Sequence, residues 1–352
     1  MPSVELLASG CTPRSGCSTG SGVFDTRRGM LRAGACEGDR VHDERQPEPT
    51  PTPTTSTSLG VVGIGRMGAA LLPHLVALGP VLAHDIDPAR EPHVLAAGAR
   101  WAPTLAELLA RVDVLVTVLP GPPELGAVMA EALPGLPTGA LWIDVTSGEP
   151  RGTRAFAGDA AERGIDVVGA PMGGSVDDAT AAALTLFASG RPAAVERARP
   201  VLDALTVRGT VRHAGDRSED GQVVKLLANA LWFAHASAAT EAMLVGQAMG
   251  LEPEHLHALL RTSAGGSVFM DRHLDRLLDG DDMTTFGVDR VVEELDTVAG
   301  LGREGGVPMP VLDASADVQR AALERYGPAL GELLGARWLE ERAGRRLRRG
   351  DA

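Results

Sequence analysis

The chain has 352 residues, a net charge of −13, 44 % hydrophobic and 22 % charged residues, and 3 % aromatics. That length is enough for two cored domains of ordinary soluble composition. The acidic balance argues against nucleic acid or an acidic membrane as partner, and the scarcity of aromatics argues against base stacking. Cys11, Cys17 and Cys36 all precede residue 40. Their spacing suits neither zinc nor a closed disulfide framework, so no metal is expected. No run reaches the ~18 apolar residues of a membrane span. No apolar segment follows Arg27-Arg28 as a signal peptide requires, so a cytoplasmic protein is expected.

Residues 1–58 are rich in Gly, Ser, Thr, Pro and mixed charge, without a period of 2 or 3.6, and are expected to be disordered. The stretch reads as a regulatory tail or an over-long start, with Met30 as an internal alternative. Order is expected from Leu59. Leu59-Gly60-Val61-Val62 reads as a strand, and Gly63-Ile64-Gly65-Arg66-Met67-Gly68 as the turn and helix start that follow it. In this G-x-G-x-x-G the first glycine permits the turn, the second lets backbone approach a pyrophosphate, and the third lets the helix pack on the strand. The helix N-terminus then faces the phosphates with unpaired N–H groups. The next strand, Val81 to Asp85, ends in an acid. An acid there bonds a ribose 2′-hydroxyl and repels a 2′-phosphate, which favours NAD over NADP, although Arg90 lies close in sequence.

Further strands are predicted at 114–119, 140–145, 165–170, 183–188 and 207–213, with helices between them. The sum is a parallel, doubly wound sheet with added strands over 59–214. Beyond Asp216 helical periodicity takes over, with helices near 218–249, 252–263, 268–279, 286–304, 309–326 and 329–343. This gives an all-α domain over 215–345 and a basic tail, 346–352, read as the end of a solvated helix. His255 and His257 point to opposite sides of a helix and do not suggest a metal site.

Of the 33 basic side chains, Lys225 is the one lysine. Arginine cannot deprotonate, whereas burial can tune a lysine to give and take a proton. Asn229 stands four residues on, hence on the same helix face, and the flanking Val223, Val224, Leu226 and Leu227 predict burial. A surface lysine snorkelling from an apolar face is the plain alternative.

Together these motifs resemble the β-hydroxyacid dehydrogenases, the 3-hydroxyisobutyrate dehydrogenase-like family, over 59–326. Gly63 to Gly68 match its G-x-G-x-M-G, and Leu119-Pro120 its M-L-P turn beside the cofactor. Asp144 to Pro150 resemble its D-x-S-T-x-x-P loop, Ala170 to Ser175 its A-P-V-S-G-G, and Gly221 to Asn229 its G-x-x-x-K-x-x-x-N. The resemblance implies an α/β Rossmann domain followed by an all-α domain, the 6-phosphogluconate dehydrogenase-like architecture. It also implies NAD or NADP as cofactor, a small acidic substrate, and a homodimer or homotetramer. Three departures stand out. Thr146-Ser147 inverts the usual Ser-Thr, the hydroxyl of the third motif moves to Ser175, and Glu293 stands where the family has a lysine near the cofactor.

On this reading Lys225 is the general acid or base, with Asn229 holding the substrate hydroxyl or Lys225 itself. Thr146 and Ser147 with the N–H groups of Gly173 and Gly174 hold the acidic end. Gly63, Ile64, Gly65, Arg66, Met67, Gly68, Asp85, Leu119 and Pro120 bind the cofactor. A helix N-cap ahead of Pro150 stays open for Thr146 and Ser147, as does a plain turn for Gly173-Gly174. Two other functions remain: an imine reductase of the same architecture, a family that usually puts Asp or Tyr at the position of Lys225, and a non-catalytic nucleotide-binding scaffold.

Overall fold

The structure, a computed structural model, describes residues 58–350. The expectation of disorder before Leu59 therefore lies outside the described residues, except at Ser58. The chain runs β1 (Leu59–Val62), α1 (Arg66–Val76), β2 (Val81–His84), α2 (Glu91–Ala96), β3 (Arg100–Trp101), α3 (Leu105–Leu109), β4 (Val114–Thr117) and α4 (Pro122–Gly135). It continues through β5 (Leu141–Asp144), α5 (Pro150–Glu162), β6 (Asp166–Gly169), β7 (Met172–Gly173), α6 (Val176–Thr180), β8 (Thr185–Ser189), α7 (Pro192–Ala204) and β9 (Thr210–Gly215).

These strands make one sheet in the order β3-β2-β1-β4-β5-β6-β8-β7, with β9 paired to β8. The first six are parallel. β8 runs antiparallel to β6 and β7 and parallel to β9. β1, β4 and β5 are buried along their whole length, as in a parallel sheet covered on both faces. Alternate residues feed two cores. Val61, Val116 and Ile143 pack with Leu71 and Leu75 on one face, and Val62, Leu115 and Trp142 pack with Leu108 and Met129 on the other. The strand order reverses between β1 and β4, opening a crevice beyond their C-terminal ends. The seven predicted strands all form. β3 and β7 escape sequence reading because two residues carry no period.

The helical part comprises α8 (Asp220–Ala248), α9 (Pro253–Leu260), α10 (Val268–Arg272), α11 (Leu274–Leu278), α12 (Val288–Glu304), α13 (Pro310–Tyr326) and α14 (Leu334–Ala343). α8 is the spine, 29 residues long, against which α12, α13 and α14 pack. Its start is fixed by Gly221, where a Cβ would lie 2.2 Å from the Phe187 carbonyl oxygen. The Gly221 N–H also donates to Ser189 Oγ at 2.9 Å. A bare glycine thus seats the helix on β8 and sets the position of the side chain one turn further on.

Two helix predictions need correcting. The segment 268–279 is two short helices broken at His273, whose φ of −126° is not helical. Its ring packs edge-on against Trp232, 5.6 Å between centroids. The last helix begins at 334, not 329, because the preceding backbone is spent elsewhere: Gly331 N–H donates to Phe286 O and Leu333 N–H to Asp282 O. The basic tail is no free extension. Leu347 is fully buried, Arg348 donates to Glu340, and Arg349 pairs with Glu254, Asp275 and Asp279. Among the described residues, no helix is long and apolar enough to cross a membrane.

Candidate active site

The three glycines of the first turn differ in what their missing side chains would meet. Gly63 sits at φ +97°, and a Cβ there would lie 2.2 Å from Val118 O. A Cβ on Gly68 would lie 2.0 Å from Gly63 O. Around Gly65, the N-cap of α1, a Cβ would meet nothing within 4 Å. Two glycines thus close the turn onto the strand and the helix, and the middle one leaves an open cradle at a helix N-terminus. That is the shape a dinucleotide pyrophosphate requires, so the residues fit NAD(P). Ile64 is buried under the loop and Met67 packs on the core, so both shape the cradle from beneath.

Asp85 follows β2. Its Oδ2 accepts from Ile64 N–H at 2.6 Å and its Oδ1 from Asp87 N–H at 2.9 Å, which fixes the carboxylate beside the glycine loop. Arg90 turns to Asp87, 3.3 Å away. Arg66 reaches across to the helical part, donating to Thr285 O at 3.1 Å.

The loop after β5 rests on a buried polar network. Trp142 Nε1 donates to Thr117 Oγ1 at 2.9 Å, Thr117 Oγ1 donates to Asp144 Oδ1 at 2.7 Å, and Thr146 N–H donates to the same oxygen at 3.1 Å. Burial pushes the Asp144 carboxyl up to about 6, against the hydrogen bonds from Thr117 and Thr146 that hold it down. Among the described residues its Oδ2 has no partner. Thr146 is 1 % exposed and its hydroxyl accepts from Leu119 N–H at 3.1 Å. Thr146 therefore ties the turn at Leu119-Pro120 to the β5 loop and does not line the cleft. Ser147 does line it. Neither residue caps α5, whose N-cap is Glu149.

Gln222, which sequence reasoning passed over, joins the two parts of the molecule. It is completely buried, accepts from Gly148 N–H at 2.9 Å and donates to Thr146 O at 2.8 Å. Its signal was there to read: it lies three residues before Lys225, on the same face of α8.

Lys225, 9 % exposed, lines a cleft with Pro120, Gly121, Ser147, Gly148 and Gln222 on one side and Phe286, Arg290, Glu293 and Glu294 on the other. Among the described residues it makes no hydrogen bond and no ion pair. Asn229 is held by Glu294, its Nδ2 donating to Oε2 at 2.6 Å. Glu293 takes Arg290 at 2.8 Å. Behind them Glu332 accepts from Thr285 Oγ1 at 2.6 Å. Burial raises the Glu332 carboxyl, opposed by the Thr285 hydroxyl and the Lys225 charge and reinforced by Glu294.

Gly173 and Gly174 do not line this cleft; they lie on β7 and the turn into α6. Gly174 has φ +128°, a conformation that favours glycine. The displaced hydroxyl of Ser175 is spent in a capping box with Asp178.

Residues 58–215 match the family model for the NAD binding domain of 6-phosphogluconate dehydrogenase, and residues 220–336 the one for NAD-binding of NADP-dependent 3-hydroxyisobutyrate dehydrogenase. The 2-(hydroxymethyl)glutarate dehydrogenase of Eubacterium barkeri is 30 % identical over 258 residues, 72 % of this chain and 85 % of that protein. The L-threonate dehydrogenase of Cupriavidus necator is 30 % identical over 261 residues, 73 % and 87 % of the two chains. The fold is shared with Mycobacterium tuberculosis 3-hydroxyisobutyrate dehydrogenase in a structure with L-serine, at TM-score 0.74 and 23 % identity, covering 81 % of this chain and 99 % of that one. It is also shared with an imine reductase from Myxococcus stipitatus, at TM-score 0.56 and 22 % identity, covering 80 % and 99 %. By its glycine cradle, its lysine-bearing spine helix and these relatives, the chain belongs to the β-hydroxyacid dehydrogenase family, the 3-hydroxyisobutyrate dehydrogenase-like NAD(P)-dependent oxidoreductases.

Proposed function

We propose that this chain interconverts a small β-hydroxy acid and its aldehyde or ketone, with Lys225 moving the proton. The observation that carries the reading is a buried, unpaired amine on the wall of the cleft between the cofactor-side turn and the helical part. Bound NAD(P) supplies the hydride acceptor in oxidation and the donor in reduction. In oxidation Lys225 takes the hydroxyl proton as the C–H hydride leaves, and in reduction it returns that proton to the new alkoxide. Ser147 and the neighbouring Gly148 face the same cleft and orient the acidic end, while Glu294 holds Asn229 in place beside the amine. Gly173 and Gly174 act at a distance from Lys225, shaping the far end of the substrate site. NAD is the preferred cofactor, because Asp85 presents a fixed carboxylate and Arg90 is engaged by Asp87.

The test is a panel of C3–C6 hydroxy acids and semialdehydes assayed with NAD and NADP separately, for wild type and Lys225→Ala. Turnover of a β-hydroxy acid is expected, falling about 10²–10⁴-fold in the variant. A cyclic imine belongs in the same panel, since imine reductases share the fold. Reduction of the imine without hydroxy-acid turnover would favour that second reading, which Lys225 opposes. Cofactor binding with no turnover at all would favour a scaffold.

A further inference from the structure

One helix carries both the amine and the tie to the loop opposite it. Gln222 and Lys225 stand three residues apart on α8, hence on one face. The start of that helix is seated without Gln222. Gly221 rests against the Phe187 carbonyl, and its N–H donates to Ser189 Oγ, which donates in turn to Ser218 O at 2.9 Å. The two bonds of Gln222 therefore hold the loop rather than the helix. A primary amide sets a donor and an acceptor side by side in one plane. Here the donor takes Thr146 O and the acceptor Gly148 N–H, so the amide clasps the backbone on either side of Ser147. Thr146 is braced from below by Asp144 and Leu119, and Glu149 is the N-cap of α5. Between them, and among the described residues, the bond to Gln222 is the one backbone hydrogen bond that Ser147 and Gly148 make. These are the two loop residues assigned above to the acidic end of the substrate, and both face the cleft.

Resting on the dehydrogenase reading above, we infer that Gln222 is a positioning residue that fixes the Ser147-Gly148 loop at a set distance from Lys225, so that the cleft measures the spacing between a substrate's carboxylate and its hydroxyl. The loop takes the carboxylate, and Lys225 takes the hydroxyl proton. Both points refer to one rigid helix, so their separation is set along α8 and not by the less direct path through sheet and loop. Gln222 acts through the loop and carries no proton itself. The precision matters because a misplacement of about 1 Å at a reacting centre can cost about 10²-fold in rate. Without Gln222 the helix seat, Lys225 and the glycine cradle keep their own supports, and only the loop loses its tie.

The experiment takes the best hydroxy acid from the panel above and its homologues with one methylene fewer and one more between carboxylate and hydroxyl. The parent series is glycolate, 3-hydroxypropanoate and 4-hydroxybutanoate, all primary alcohols of equal charge. Wild type is expected to favour the best member in kcat/KM by about tenfold or more over its homologues. Gln222→Met keeps the length of the side chain and removes both bonds. In that variant the preference is expected to shrink by about tenfold and kcat on the best member to fall by about tenfold or more, with cofactor binding near wild type. A ratio between substrates is insensitive to the fraction of folded enzyme, so a merely structural role would leave it unchanged. Gln222→Glu still accepts from Gly148 N–H and is expected to keep more of the preference than Gln222→Met; if the Met variant does not fold, the same ratio in the Glu variant carries the test. Lys225-dependent turnover with an undiminished preference in the folded variants overturns this inference and leaves the dehydrogenase reading standing. So does a wild-type enzyme that favours no spacing. Turnover of no hydroxy acid at all overturns the dehydrogenase reading and this inference with it.

Discussion

Gly65 and Gly68 stand three residues apart and call for opposite experiments. A methyl on Gly65 enters open space, so Gly65→Ala should leave the melting temperature near wild type while weakening cofactor binding by at least about tenfold. A methyl on Gly68 meets a carbonyl oxygen 2.0 Å away, so Gly68→Ala should cost about 1–3 kcal/mol of stability. Thermal unfolding with a cofactor titration on both variants checks the pair; equal effects would refute the division of roles. Asp144 offers a test in pH. Burial lifts its folded value to about 6 from the ordinary 3.8, so its contribution to stability is complete below the lower value and is lost as pH rises through the upper. That rise corresponds to about 3 kcal/mol. Asp144→Asn should therefore gain on wild type by about that amount between about pH 4 and about pH 8, read by denaturant unfolding at both. These residues were unequally legible. The glycines and Lys225 announce themselves by type and spacing. The network from Trp142 to Thr146 closes through contacts between strands, so sequence reading offered Thr146 as a substrate ligand without its bonds to Leu119 and Asp144.

The elements themselves followed from periodicity wherever they were long. α12 lies close to its predicted span because an amphipathic stripe repeats along it, and α8 because no proline interrupts its long apolar run. Where long-range contacts decide, sequence reading failed. His273 breaks a predicted helix to pack edge-on against Trp232, and 327–333 gives up helical hydrogen bonds to hold the segment at 282–288. The C-terminal segment is the clearest case, read as solvated from its arginines and found anchored by the one apolar residue among them. Leu347 is 0 % exposed within the cluster of Phe269, Leu274 and Leu277. Leu347→Ala should cost about 2–5 kcal/mol, measured by chemical denaturation, whereas a loss under about 0.5 kcal/mol would mean the segment does not dock in solution.

Across the whole molecule, the sheet and the helices meet through few specific ties. Gln222 and the Gly221 N–H bond to Ser189 are buried; Arg151–Glu304 and Arg154–Glu219 are ion pairs with exposed arginines and contribute little. Leu227, Leu231 and Val245 lie along one face of α8 and Met249 stands just past its end, all more than 40 % exposed. Such a stripe suits self-association, and light scattering should give a dimer or tetramer; a monomer at all concentrations would contradict it. The proposed catalysis turns on the buried amine in the cleft. Its most direct test is Lys225→Ala assayed on the best hydroxy-acid substrate, alone and with added methylamine, while cofactor binding is followed by fluorescence. With Lys225 as the proton carrier, binding stays intact, turnover falls by about 10²-fold or more, and partial recovery rises with the free-base amine. Turnover within a few-fold of wild type in the variant without amine would contradict it.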